Sequence, residues 1–575
     1  MLRRILIAAL LAGIFVPGAA AGRISLAPGI TYERQLLFTP HGPEVIHVMT
    51  APKPGGLYAL HPVLSNNTVI GRERVTSMQK RVSSTATVGG VNADLFTFDE
   101  GLPSGMFMQS GVLTTPPHPK RSTVGITDDG RLLVQRVQML GTWQGNSQRR
   151  PLNGLNQRPG PEGVSLFTPD WGPATPAANN TVEVTLDSVT PAAPFTDITG
   201  TVVAVKPAGG TPIPPGGAVL VGRGASAGRL ASEAPVGQEV TSRLVLRPQW
   251  QGVVDAVGGG PLIVQNGQPV FRALEQFSSS QLSVRNPRTA VGQRADGKII
   301  FLTVDGRQPG YSTGLTNFEL AQQMVRLGAV TASALDAGGS TTMAFDGKLL
   351  NRPSDPGGER AVSDGLFVFY YGVQAPAPSV LVLSPNGDGV DEVEPLSFKV
   401  VRPSTVTASL IGPDRIPRQT TTGFKNPGTY KLSWNGRTPE GASEPEGRWR
   451  WVINAVDDQQ QQSKVERLFY LNNTLGYLKV NPRRVVLHKR GGSVRFRFRL
   501  AHPAAVTLTI RTASGARVKT IRKRLRAGQT SIRWNGRYGN GVRAFSGSYI
   551  AQVQTSNAFG PAKLERSFFV RRARR

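Results

Sequence analysis

Leu335-Asp336-Ala337-Gly338-Gly339-Ser340-Thr341-Thr342-Met343 is the stretch on which the fold turns. Ahead of it, Val330 to Leu335 is an apolar run containing β-branched residues, which reads as a buried strand. An acid closes that run. Two glycines then let the backbone turn tightly and approach a ligand, and three hydroxyl residues follow. Asp336 is therefore expected at a strand end, where side chains open into a site; the plain alternative is a turn or cap residue. Downstream, Thr341 to Phe345 and Lys348 to Asn351 flank an Asp346-Gly347 hairpin turn. A charged loop with Asn351, Arg352, Asp355, Glu359 and Arg360 leads to a second apolar strand, Leu366 to Tyr371. The crowding of carboxylates, arginines and hydroxyls between two buried strands sets this segment apart from an ordinary turn.

The same residues, with Asn351-Arg352-Pro353-Ser354-Asp355 and Gly358-Glu359-Arg360, resemble the signature of the phosphodiester glycosidase family. The family's usual form has three glycines after the Asp; here Ala337 replaces the first. A second motif, Gly89-Gly90-Val91-Asn92-Ala93-Asp94-Leu95-Phe96, resembles the family's glycine-flanked Asn ahead of an aromatic, with Asn92 matched and the glycines after it replaced. Arg288 and Arg307 fall at positions the family favours. The resemblance is strongest over 287–371 and extends back to about residue 85.

The resemblance implies hydrolysis of the sugar–phosphate bond of a glycosyl 1-phosphodiester. Breaking the C1–O bond develops positive charge on the sugar and negative charge on the departing phosphate. A carboxylate stabilises or attacks C1, or activates water, while arginines grip the phosphate through paired N–H donors. An acidic phosphomonoester leaves with less general-acid help than an alcohol. On this reading Asp336 and Glu359 act at the sugar, in either order, and Arg288 and Arg352 clamp the phosphate. Asn92, Asp305, Arg307, Ser340, Thr341 and Asn351 bind substrate oxygens or orient the site. No cofactor is required. The alternatives are solvated surface pairs for the charges and an Asx turn for Asn92.

A length of 575 residues predicts three or four domains. With 66 Gly and 44 Pro the chain is expected to be β-rich and turn-rich. It has no Cys, which excludes disulfides, zinc–thiolate sites and a Cys nucleophile. All six His lie outside 287–371, so a triad built on Ser340 would need a distant His, and a zinc hydrolase lacks its compact cluster. Residues 1–21 read as a signal peptide, with Arg3-Arg4, an apolar core from Ile5 to Val16 and Ala19-Ala20-Ala21 at the cleavage site. The alternative is an uncleaved anchor. No other stretch is long enough to cross a bilayer, so a secreted or wall-associated bacterial protein is expected.

The expected fold class is α+β: a β-rich catalytic domain over 22–374, then two all-β Ig-like sandwich modules. Within the first, 142–250 is a β-rich segment or insertion, and the Thr316-x-x-Glu319 capping box starts a helix that Gly328 ends. A Pro-rich linker spans 375–379. Modules follow at 380–474 and 475–575, because Leu432-Ser433-Trp434-Asn435-Gly436-Arg437 recurs as Ile532-Arg533-Trp534-Asn535-Gly536-Arg537. They resemble the Ig-like domain of flagellar hook-capping proteins. Asn386, Asp388 and Asp391 suggest a weak calcium site or a plain turn.

The formal charge is +29, and residues 478–575 hold 24 Lys and Arg against a single acid, Glu565. That module is expected to touch a polyanion: an anionic wall glycan, lipid or nucleic acid. The alternation Arg495-Phe496-Arg497-Phe498-Arg499 also reads as a half-buried strand. For the whole chain, the competing reading is a non-catalytic wall- or polyanion-binding protein with adhesive modules.

Overall fold

The computed structural model describes residues 22–207, 209–270, 274–387, 389–489 and 492–573. The segment 1–21, read from sequence as a signal peptide, lies outside them. The chain divides after Tyr371 into two compact units. Both are built of β-sheet. Among the described residues the α-helices are Val75–Val82, Ala225–Glu233, Ser279–Leu282 and Asn317–Arg326. The β-rich part of the expected class is what the structure displays, with helix as a minor component.

In the first unit, an eight-stranded sheet places Gly42–Ala51, Ile299–Val304, Arg288–Arg294 and Ala329–Ala334 side by side at its centre. Arg288–Arg294 and Ile299–Val304 form a hairpin closed through Gly297, which has φ +81°. A five-stranded sheet runs Lys348–Leu349, Met343–Phe345, Thr87–Asn92, Asp364–Tyr370, Tyr58–Leu64. The two faces meet over a shared core that includes Met49, Val91, Val291, Phe301, Leu335, Met343 and Leu366. Residues 138–247 supply every strand of a separate eight-stranded sheet with its own core, including Trp143, Leu166 and Leu220. Trp171 is buried against Phe167 in a neighbouring cluster with Leu64, Val69 and Phe107.

The Asn317–Arg326 helix starts as its capping box requires. Thr316 Oγ1 accepts from Glu319 N at 3.2 Å, and Thr316 N donates to the Glu319 carboxylate at 2.9 Å. Leu320 and Met324 are fully buried on the central sheet. Gly328 ends the helix at φ +89°, in the left-handed region that favours glycine.

The second unit holds two sandwiches of the same plan. The first pairs Glu394–Val400 with Gly428–Trp434 against a five-stranded sheet; the second sets Leu475–Asn481, Val494–Leu500 and Gly528–Trp534 against another. The repeat is exact at the turn after each tryptophan. Trp434 Nε1 donates to the Arg437 carbonyl at 3.1 Å, and Trp534 Nε1 to that of Arg537 at 2.8 Å. Asp388 of the candidate calcium loop lies outside the described residues. Asn386 donates its amide to Ser384 Oγ and to the Lys563 carbonyl.

Thr87–Asn92 is buried on both faces, which leaves no room for a side chain at its centre. A Cβ on Gly90 would press into the Leu366 carbonyl oxygen and lie 2.8 Å from Phe367 Cα. Backbone of the neighbouring Asp364–Tyr370 strand cannot yield as a flexible side chain can. Gly90→Ala is therefore expected to cost about 1–3 kcal/mol, read as a lowered denaturant midpoint of the first unit.

Candidate active site

Asp336 follows the Ala329–Ala334 strand, and its backbone is held by the end of the Thr87–Asn92 strand of the other sheet. Asp336 N donates to the Ala93 carbonyl at 2.8 Å, and Asn92 Nδ2 donates to the Asp336 carbonyl at 2.8 Å. Ala337 is extended, at φ −122° and ψ −174°, so alanine fits at this position without strain. Gly338 has φ +70°, and its amide donates to the Pro287 carbonyl at 3.0 Å. At Gly339 any side chain would collide with the Arg360 guanidinium and the Asp355 carboxylate. Those two form a two-pronged ion pair, at 2.8 and 3.0 Å. The glycines thus admit an arginine–aspartate pair beneath the Asp336 loop, and Arg360 also reaches Ser340 Oγ at 3.4 Å.

Asp336 faces a cavity of ≈ 350 Å³. Burial of its carboxyl raises the pKa to about 6, opposed by hydrogen bonds from Ser340 and the Ala337 amide and by the charges of Arg360 and Arg121. The other walls are Phe277, Pro261 and Leu95 on the apolar side and Arg288, Arg307, Asn286, Gln281 and Asn317 on the polar side. Asp336 is the one acid among the described residues lining it.

The two arginines differ. Arg288 is buried and donates to three carbonyls: Leu315 at 2.7 Å, Gln281 at 2.5 Å and Val284 at 2.6 Å. Burial, then the Arg307 charge, lowers its pKa to about 10. It fixes one wall of the cavity and keeps few donors for a ligand. Arg307 is exposed, donates from Nε to Asn286 Oδ1 at 2.9 Å, and has no acceptor on its terminal nitrogens among the described residues. At the first residue of the capped helix, Asn317 is 4% exposed, and its Oδ1 has no hydrogen-bond partner. An unpaired buried carbonyl oxygen costs about 1–3 kcal/mol unless a ligand donates to it.

Several expected substrate contacts are framework instead. Asn92 is fully buried; its Oδ1 accepts from Thr289 Oγ1 at 2.9 Å and Thr342 N at 3.0 Å. Asp305 is also buried. Its carboxylate meets His47 Nε2 at 2.9 Å, Tyr311 Oη at 3.0 Å, Asn351 Nδ2 at 3.1 Å and Arg352 N at 3.0 Å. Asn351 passes the connection on to the Thr341 carbonyl at 3.1 Å and the Met343 amide at 2.8 Å. Thr341 is buried with an unpaired hydroxyl. Arg352 lies over the Tyr311 ring, 4.7 Å from its centre, and does not line the cavity. Glu359 corrects the sequence reading most. Both its oxygens are taken by Thr76, whose N and Oγ1 donate at 2.9 and 2.6 Å, so it caps the Val75–Val82 helix and is not part of the cavity lining.

Sequence reading missed Asp94 and Asp364. They are 2% and 0% exposed, and Asp94 N donates to Asp364 Oδ1 at 2.7 Å. The Asp94 carboxylate accepts from Leu95 N at 2.8 Å and Gly105 N at 2.6 Å. Burial drives both pKa values up, Asp364 to about 7 and Asp94 well above the carboxylate range, and the Asp336 charge adds to the rise at Asp364. The available signal was an acid at the mouth of an apolar strand, as in Ser363-Asp364-Gly365. Phe277, Asn317 and His47 gave none, because chain folding alone brings them in.

Comparison with known proteins gives this geometry a context. Residues 194–369 match the phosphodiester glycosidase family. Residues 484–558 match the FlgD Ig-like domain. Over 120 residues the chain is 37% identical to the SPbeta prophage-derived uncharacterized protein YomE of Bacillus subtilis (strain 168), covering 21% of this chain and 18% of that protein. Over 107 residues it is 32% identical to N-acetylglucosamine-1-phosphodiester alpha-N-acetylglucosaminidase of Bos taurus, covering 18% of this chain and 20% of that one. The alignments thus span about a fifth of these relatives. The crystal structure of a hypothetical protein from Synechocystis superposes with a TM-score of 0.52 at 26% identity, covering 60% of this chain and 63% of that chain. The phosphodiester glycosidase match contains Asp336, Arg307 and Asn317 together.

The buried Asp94–Asp364 pair makes stability depend on pH. A carboxyl whose folded pKa exceeds its unfolded value near 4 stabilises the fold while protonated and loses that contribution as pH rises to the folded value. For Asp364 the window runs from about 4 to about 7. Asp364→Asn keeps an oxygen for Asp94 N and cannot ionise. It is expected to melt close to the parent protein at pH 4 and a few degrees above it at pH 8, as thermal melts at both pH values will show.

Proposed function

We propose that the chain hydrolyses the sugar–phosphate bond of a glycosyl 1-phosphodiester. The observation that carries the reading is the shared cavity of Asp336, its pKa raised to about 6, and Arg307, whose terminal nitrogens are free. A base poised near neutrality beside an unspent guanidinium suits a reaction that needs water activated on one side and phosphate charge held on the other.

The reaction is read as follows. The substrate's phosphate lies against Arg307, which pairs with two of its oxygens. The sugar rests on Phe277, and one of its hydroxyl or amide donors satisfies Asn317 Oδ1. Asp336 takes a proton from water as the water oxygen bonds to C1. The C1–O bond breaks, and its electron pair leaves on the phosphomonoester. That leaving group is acidic, so a second carboxylate is dispensable, consistent with Glu359 being engaged at the helix cap. Direct attack by water is expected to release the sugar with inverted configuration at C1. The Arg360–Asp355 pair and Ser340 hold the Asp336 loop. The signal-like 1–21 segment supports action outside the cytoplasm, on wall or extracellular glycan material.

The test is sugar release from N-acetylglucosamine-α-1-phosphodiester and a panel of other glycosyl phosphodiesters. Asp336→Asn is expected to lower kcat/KM by about 10²–10⁴-fold. In the parent protein the acid limb of the kcat/KM profile should bend near pH 6, because Asp336 must be ionised to accept the proton. Equal turnover by Asp336→Asn would remove this residue from the reaction.

Arg307→Ala is expected to lose about 10–100-fold in kcat/KM, the value of a charge-assisted hydrogen bond. The loss should be much smaller on a substrate whose leaving group carries no phosphate. Equal losses on both substrates would assign Arg307 a structural role.

A further inference from the structure

The second sandwich module carries charge that its fold does not need. In Val494–Leu500, residues Val494, Phe496, Phe498 and Leu500 point into the core while Arg495, Arg497 and Arg499 are exposed. Neighbouring strands extend the exposed face. Arg495 stands opposite Arg533 on one side, and Arg497 opposite Lys479 on the other. Like charges directly opposite each other in a sheet are destabilising. None of these five side chains makes an ion pair among the described residues. Glu565, the one acid of residues 478–575, lies in the Gly560–Arg572 strand of the opposite sheet and accepts from Gln552.

The first module is an internal control. Its Glu394–Val400 strand pairs with Gly428–Trp434 as Val494–Leu500 pairs with Gly528–Trp534. One hundred residues apart, most core positions keep their character: Leu396 and Phe496, Phe398 and Phe498, Trp434 and Trp534, with buried Glu394 in place of Val494 as the exception. Most outward positions do not. Pro395, Ser397 and Ser433 stand where the second module has Arg495, Arg497 and Arg533, and Lys399 alone keeps a cation, at the position of Arg499. The same sandwich therefore forms without the arginine ladder, and the repulsion is tolerated in the second module alone.

We propose that this face binds an extended phosphodiester-linked glycan or polyol polymer. Same-face residues along a strand recur about every 7 Å, a spacing that suits successive phosphates of one extended chain. Arginine's planar fork meets phosphate oxygens in pairs. A trough of ≈ 470 Å³ bordered by Tyr477, Lys479, Arg497 and Arg499 runs across the ladder. Single-stranded nucleic acid is disfavoured, because sequence-independent binders stack successive bases on exposed aromatics. Here Phe496 and Phe498 face inward, and Tyr477 is the one exposed aromatic among the described residues of these three strands. The choice of phosphodiester over other anions rests in part on the proposed reaction; the ladder itself does not.

The test uses the full chain carrying Asp336→Asn, with poly(glycerol phosphate), which has no glycosyl C1–O bond for the proposed reaction to break, as the probe across a salt series. Replacing Arg495, Arg497, Arg499 and Arg533 by Ser, as at 397 and 433 of the first module, should weaken binding at least tenfold at low salt. It should also reduce the slope of log K against log salt by about three. The melting temperature should stay level or rise as repulsion is relieved. With Asp336 intact, the same four substitutions should leave turnover of a small soluble glycosyl phosphodiester unchanged. Undiminished polymer binding by the variant would overturn the proposal. So would tighter binding of single-stranded DNA of equal charge. Polymer binding by a protein that turns over no glycosyl phosphodiester of the panel would leave the ladder standing and remove the hydrolase reading, so the two fail separately.

Discussion

A side-chain amide sealed between two sheets must find every hydrogen bond it needs inside the protein, and Asn92 does so with three elements at once. It accepts from Thr289 of one sheet and from the Thr342 amide beside the other, and it donates to the carbonyl of Asp336. Each unmade bond would cost about 1–3 kcal/mol, so the sheets and the loop have one mutual arrangement in which all are satisfied. The Asp336 position follows from it. The loop cannot shift without stranding a buried donor, and Gly338 and Gly339 then let it pass close to Arg307 on one side and the Arg360–Asp355 pair on the other.

The same constraint explains why so many charged residues of the signature never reach the cavity. A turn that carries a reactive carboxyl must itself be rigid, and rigidity here is made from polar side chains. Asp305 gathers His47, Tyr311, Asn351 and the Arg352 amide. Glu359 caps a helix, and Arg288 ties down three carbonyls. Among the described residues, the groups lining the cavity with bonding capacity to spare include one acid, one guanidinium with unengaged terminal nitrogens and one unpaired amide oxygen. Density of polar residues marks the neighbourhood of the cavity, but most of that density supports the few groups that face it.

Local signals were readable where the cause is local. The capping box at Thr316, the hairpin at Asp346-Gly347 and the strands on either side of the Asp336 loop depend on neighbours within a few residues, and their periodicity and turn chemistry announce them. The approximate place of the site was legible for the same reason. Roles within it were not. Whether Asn92 touches substrate or pins a loop depends on Thr289 and Thr342, far away in sequence. Whether an acid is a cap or a base depends on which helix end it meets. The coupling of Asp94 to Asp364 arises only because Thr87–Asn92 pairs with Asp364–Tyr370, a register that neither segment encodes alone.

The two sandwich modules separate these kinds of information within one chain. Their inward residues mostly match in character across the hundred-residue repeat, because a shared core admits few solutions; buried Glu394 against Val494 is the exception. Their outward residues answer to no common packing demand, and at 395, 397 and 433 against 495, 497 and 533 they have diverged completely. A fold requirement would appear in both copies. A feature that burdens one copy with unpaired like charge, while its twin folds without it, therefore has its cause outside the fold. An anionic partner of the kind proposed would convert that repulsion into attraction.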